Sequence, residues 1–441
     1  MSSNTKTLGW LGIFRIGLVQ TALGAMVVLT TSTLNRVMVI ELALFAMLPG
    51  ALVALHYAVQ ILRPRMGHSS DSGNQRTPWI IGGLIVLALG TIGATLSTAL
   101  MATNVTAGII GATLAFILIG LGVGASGTSL LALLASRVDE HRRPAAATIV
   151  WVMMIAGFVV TAGVVGAKLD PFTMERLVVI TCCVALIAVT VGTLAIVGIE
   201  RKFAPQEQTV TDQSKVDFKT ALSETWQDQR ARQFTIFVFV SMLAYSAQDL
   251  ILEPFAGAVF QFTPGESTQL AGVHHGGVLL GMILVAIIGT RVARRHPGTL
   301  HFCCVGGCVA SALSLAVLAY GGLTGAAFPL KQAVFALGLS NGVFAVAAIG
   351  SMMALAGASK GRREGIRMGV WGAAQAVAFG IGGFAGTAMI DVARSQIHSD
   401  AAAYATVFAA QAILFIIAAW LAANLGDHQR DASSLRMGKP V

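Results

Sequence analysis

The sequence predicts an all-α membrane protein of twelve transmembrane helices in two six-helix halves. Three observations carry that expectation. Hydrophobic residues fill 55% of the 441 positions and charged residues only 11%, whereas a soluble domain carries about 25% charge. Apolar runs recur along the chain at the length of about 20 residues that a helix needs to cross a bilayer. The second half of the chain also repeats features of the first at a fixed offset. A mean hydropathy of +0.77 agrees. A cytosolic enzyme, a secreted domain and a disordered chain are excluded. So is a β-barrel, whose strands would be about 10 residues of alternating polarity.

Cutting the apolar runs at charged or Pro/Gly-rich breaks gives spans at roughly 12–34, 41–62, 79–101, 107–135, 145–167 and 177–198, then 234–256, 271–290, 299–321, 329–353, 367–390 and 403–424. The expected domains are an N-terminal half at 1–198, a cytoplasmic linker at 199–233, a C-terminal half at 234–424 and a cytoplasmic tail at 425–441. With both termini in the cytoplasm, 24 of the 29 Lys and Arg fall on that side. The other side keeps Arg36, Lys168, Arg176, Lys331 and Arg394. The positive-inside rule therefore sets the orientation, and it explains the net charge of +9 without nucleic acid. No cleavable leader is expected, since the N-terminus is polar and the first apolar run is long.

The linker is the one long polar stretch. From Val216 onward, Phe218, Leu222 and Trp226 recur every four residues, which places one apolar stripe on a polar helix. That helix either lies on the cytoplasmic membrane face or spaces two bundles. Arg142-Arg143 through Val150-Trp151 aligns with Arg362-Arg363 through Val370-Trp371, 220 residues on. Both copies open the fifth span of their half and follow a Gly-rich fourth span, GLGVGASG at 120–127 and GLSNG at 338–342. Half the chain length as an offset points to a parallel duplication.

The second-to-third loop holds Gly67, Asp71 four residues on and Arg76 nine on. This spacing resembles the major facilitator superfamily signature, which implies a major facilitator-like architecture. There the Gly allows two spans to approach, and the Asp accepts from basic groups at the cytoplasmic rim. Arg142 and Arg143, with their repeats Arg362 and Arg363, are the rim cations that such a latch would use.

The seventh span reads Gln248-Asp249-Leu-Ile-Leu-Glu253-Pro254-Phe255. Asp249 and Glu253 are four apart and share a helix face. Asp249 lies 15 residues into the span, about 22 Å along a helix. An intramembrane acid marks a ligand or proton site by default; the other reading is a pair of acids in water where the span ends. Gln248 lies beside them. His56 and Gln60 share a face of the second span, and His274 and His275 open the eighth. Neutral imidazole ligates metals, including the magnesium of a chlorin; the alternative for each histidine is a hydrogen-bonded packing residue. Asn341 on the tenth span reads equally as a cavity residue or as a helix–helix hydrogen bond.

The five cysteines lie in apolar runs without zinc-site spacing. The sequence has no G-x-x-x-x-G-K-[ST] loop, so no P-loop nucleotide is expected. It has no Asp-rich diphosphate-binding stretch of a membrane prenyltransferase, and no H-E-x-x-H or G-x-S-x-G. A non-catalytic protein is the expectation.

The run Gln248-Asp249-Leu250-Ile251-Leu252-Glu253-Pro254-Phe255-Ala256-Gly257 resembles the seventh-span signature of the PucC/LhaA family. The loop with Arg63, Pro64, Gly67, Ser70 and Asp71 is similar to that family's second-to-third loop. The family is the bacteriochlorophyll delivery branch of the major facilitators. The resemblance implies a carrier or assembly factor in the intracytoplasmic photosynthetic membrane, with bacteriochlorophyll or a precursor as bound cargo. The implied partners are bacteriochlorophyll synthase, geranylgeranyl reductase and light-harvesting polypeptides. Antenna-assembly members end the loop in a W-R-R-x-P-Y pattern, whereas this chain has Gln75-Arg76-Thr77-Pro78-Trp79. That departure points to the subgroup encoded beside bacteriochlorophyll synthase. The alternatives are a secondary transporter of a small solute and a non-catalytic subunit of a synthase complex.

Overall fold

The computed structural model describes residues 8–63, 76–139, 142–202, 226–291, 298–325, 328–357 and 364–437. The stripe at Val216, Phe218 and Leu222 lies outside these residues, as do Gly67, Asp71, Arg362 and Arg363. The first six helices are α1 (Trp10–Glu41), α2 (Met47–Leu62), α3 (Thr77–Met101), α4 (Val105–Arg137), α5 (Arg143–Leu169) and α6 (Met174–Ile196). The second six are α7 (Gln229–Phe260), α8 (Pro264–Arg291), α9 (Thr299–Thr324), α10 (Leu330–Gly357), α11 (Glu364–Ile397) and α12 (Asp400–Met437).

Eleven of these are long and apolar enough to cross a membrane among the described residues; α2 is shorter. The sequence places the second span at 41–62, but α2 begins only at Met47. The backbone explains the loss. Its π-helical turn at Val37–Glu41 ends α1, and Ala43 then takes a left-handed φ of 49°, which no helix continues. Elsewhere the ends follow local chemistry. The Asn104 side chain accepts from the N–H of Ala107 and starts α4. Thr173 does the same for Arg176 at the start of α6.

The chain forms two compact units. One comprises Met1–Thr209 with Asp249–His275, the other Val210–Gln248 with Gly276–Val441. The first unit thus holds the second part of α7 and the first part of α8 along with α1–α6. Its α3 and α4 meet through small residues: a Cβ on Gly83 would lie 2.5 Å from the Ser126 nitrogen, and one on Gly122 2.5 Å from the Leu87 nitrogen. Small residues let backbones approach where lipid supplies no hydrophobic drive between helices. Thr21 on α1 donates to the Met153 carbonyl on α5 at 2.9 Å.

In the second unit, the latter part of α8 lies against α10 in the same manner, and a Cβ on Gly342 would overlap the Val278 carbonyl. Phe234, Phe237, Phe344, Trp371, Tyr404, Phe408 and Phe415 are its largest fully buried side chains. The duplicated segments open α5 and α11 alike, yet their tryptophans differ. Trp151 is half-exposed, while Trp371 is buried and its indole N–H points at the Ala231 carbonyl, 3.5 Å away. Many large apolar side chains, Leu186, Leu194, Leu313 and Ile413 among them, stay exposed, as lipid contact requires.

Candidate functional site

Pro254 sits inside α7 and has no N–H, so the carbonyl of Leu250, four residues back, loses its helical donor. Asn35 on α1 replaces it: its side-chain amide donates to the Leu250 carbonyl at 2.5 Å. Nearby, Arg36 pairs with Glu41 and donates to the Phe262 carbonyl at 2.8 Å. Gly257 faces Arg36 across this packing, with room for a Cβ only 3.2 Å from the guanidinium.

One turn earlier, α1 is π-helical over Leu29–Thr33. Such turns widen a helix and gather at functional positions. Here the turn presents Thr31 and Ser32 to a cavity of about 30 Å3. Phe158 of α5, Asp249, Leu252 and Glu253 of α7, and Leu270, Ala271, His274 and His275 of α8 complete its lining. The Ser32 hydroxyl donates to one Glu253 carboxylate oxygen. Thr33 and Thr268 hydroxyls lie 3.3 Å apart beside it. Phe158 meets the His275 ring edge-on, with centroids 4.9 Å apart. Asp249, His274 and His275 each offer one ligand atom, and these lie within 4.8 Å of one another. Glu253 is 1% exposed, His274 2% and His275 6%, so these three face the cavity and not water, while Asp249 is half-buried at its edge.

The structure thus gathers Asp249, Glu253, His274 and His275 from the sequence-predicted residues. His56 and Gln60 form their own pair on α2, with Nε2 atoms 2.8 Å apart, and do not line the cavity. Gln248 and Asn341 meet in the second unit. Asn341 donates to the side-chain amide oxygen Oε1 of Gln248 at 2.7 Å and accepts from the Ser311 hydroxyl at 2.8 Å, an interhelical polar link of the kind that holds membrane helices together. Thr31, Ser32 and Phe158 were not singled out in the sequence. The run Thr30-Thr31-Ser32-Thr33 inside an apolar span was the signal for the first two.

At the rim, Arg76 donates to the Ala132 carbonyl at 2.6 Å and to the Ser136 hydroxyl. Glu200, in the short helix Ile199–Lys202, accepts from the Arg76 and Thr77 backbone N–H groups and from the Thr77 hydroxyl. It therefore caps α3. Burial raises the Glu200 carboxyl, but those three hydrogen bonds and the charge of Arg137 outweigh it and hold the group below its ordinary value. Arg142 stacks over the Trp10 ring at 4.3 Å, and Arg143 donates to the Val138 carbonyl at 3.2 Å.

The model of the family described as PUCC protein matches residues 33–429. A Rhodobacter capsulatus protein, the bacteriochlorophyll synthase 44.5 kDa chain, is 52% identical over 95% of this chain and 96% of its own length. Protein PucC of the same organism is 29% identical over 92% of this chain and 90% of its own. Among solved structures, the nucleoside transporter NupG superposes with a TM-score of 0.67 at 14% identity, covering 94% of this chain and 99% of that one. A bacterial homologue of the human drug peptide transporters gives the same TM-score at 14% identity, covering 96% and 99%. At such identities these two likenesses establish the fold.

Proposed function

The chain belongs to the PUCC protein family and has the major facilitator fold, and on that premise we propose that it is a membrane carrier and assembly factor for bacteriochlorophyll or a precursor. The near-full-length identity of 52% to the chain named for bacteriochlorophyll synthase carries this reading. The protein acts beside the synthase and geranylgeranyl reductase and delivers pigment toward light-harvesting polypeptides, without chemistry of its own. It resides in the bacterial inner, intracytoplasmic photosynthetic membrane with both termini in the cytoplasm.

The cavity of about 30 Å3 has room for a water or two and none for a bacteriochlorin. Loading a macrocycle therefore needs the helices around it to part. Asp249 and Glu253 then provide the polar edge of the opened site, and its histidines supply imidazole nitrogens of the kind that ligate a chlorin's magnesium.

The test is direct. The full chain is purified from a pigment-producing phototroph, and its bacteriochlorin absorbance is compared with that of an unrelated facilitator prepared alongside. Stoichiometric pigment supports the carrier reading. A pigment-free protein, together with uptake of a solute into vesicles, replaces it with the second reading, a secondary transporter. Carboxylates buried beside a cavity, and the likeness in fold to nucleoside and peptide transporters, favour that second reading.

A further inference from the structure

The geometry points to a divalent transition-metal ion site at Asp249, His274 and His275, completed by Glu253. It concerns the same residues that the pigment reading assigns to the opened site, here in the closed cavity, and it needs no pigment to be tested.

Among the described residues, Asp249, His274 and His275 are the group of three that could hold a metal ion. Their ligand atoms lie within 4.8 Å of one another. A tetrahedral ion with bonds near 2.0–2.1 Å sets its ligands about 3.3 Å apart, so side-chain closure by about 1–1.5 Å completes the triad. Glu253 is one helical turn from Asp249 and lines the same cavity. Ser32 holds one of its oxygens. Thr268 also reaches the Glu253 carboxylate, whereas Oδ1 of Asp249 and Nδ1 of His275 are buried and have no hydrogen-bond partner among the described residues. Buried polar atoms are almost always paired, and two orphans beside one ion-sized cavity call for a common partner.

Charge selects the partner. Two carboxylates face the cavity, and none of its lining residues is Lys or Arg. Arg36 in the same unit makes its direct contacts to Glu41 and to the Phe262 carbonyl and compensates Glu253 only through its longer-range charge. A divalent ion balances both carboxylates, and neutral imidazoles add no charge. Two nitrogens with carboxylate oxygens suit zinc or another first-row ion better than calcium or magnesium. The cavity admits such an ion with a water and excludes the bulk of a magnesium macrocycle.

The full chain, purified in detergent through a tag without histidine, is equilibrated with Zn2+ and its bound metal counted. About one zinc per chain is expected. Calorimetric affinity should fall about tenfold or more in His275→Gln and Asp249→Asn, while His398→Gln, at an exposed position, leaves it unchanged. X-ray absorption of the wild-type zinc complex reads the ligands without any variant, and imidazole nitrogen mixed with carboxylate oxygen is expected. Zinc-free wild type, or zinc retained equally in both ligand variants, overturns the site. Pigment present with zinc absent sinks this inference and leaves the carrier reading standing; zinc without pigment does the reverse.

Discussion

The side-chain amide of Asn35 stands in for the backbone N–H that Pro254 lacks, by donating to the Leu250 carbonyl. A proline in α7 is thereby tolerated, and α1 is fixed against α7 at the level of the Asp249–Glu253 turn. Asn35→Ala leaves that carbonyl unpaired in a low-dielectric setting and should cost about 1–2 kcal/mol. Pro254→Ala restores the helical donor, so the double variant should lose less than Asn35→Ala alone. Thermal melting in detergent, read by gel filtration, measures both. Additive losses would show that Asn35 does not serve Leu250.

Glu200 gives the rim a pH dependence of definite sign. Its folded carboxyl is held below the ordinary value. Its contribution is therefore present above the unfolded value of about 4.3 and is lost as pH falls through the lower folded value. Melting temperature should drop on acidification below about pH 4.3, and Glu200→Gln should flatten that part of the curve. An identical acid limb in both proteins would remove Glu200 from the account.

Much of the fold was legible because lipid imposes a simple code. Apolar runs gave the spans. Family membership was readable at Gln248–Gly257. The second helix was misplaced at its start because a π-turn and a left-handed Ala43 have no apolar signature. The cluster was legible only in parts. Asp249 and Glu253 announce themselves as acids in an apolar span, but their meeting with Ser32, over 200 residues away, is a tertiary fact. Glu200 was invisible as a cap because its partners, Arg76 and Thr77, begin a helix far upstream.

The expected orientation rests on the basic residues, of which 24 of 29 fall in the segments that the sequence assigns to the cytoplasmic side. A reporter fused after Val441 and another inserted within 203–215 should both read cytoplasmic. A periplasmic signal at either position sinks the twelve-span model with both termini in the cytoplasm.

Asp249 separates the two readings of the cavity. A carboxylate buried in a membrane protein is costly unless a proton, a cation or a ligand group compensates it. Asp249→Asn keeps shape and hydrogen bonding and removes the charge, whereas Asp249→Leu removes both. If Asp249 forms the polar edge of a pigment site, the Asn variant should keep most of the copurifying bacteriochlorin, and the Leu variant should lose most of it at equal protein level. Zinc affinity, measured on the same preparations, should fall in both, since neither side chain offers a carboxylate oxygen. Proton coupling makes a different demand, because neither Asn nor Leu can carry a proton on and off. Equal failure of the two variants in pigment retention or in strain pigmentation, with protein level unchanged, would therefore favour the transporter reading over the carrier.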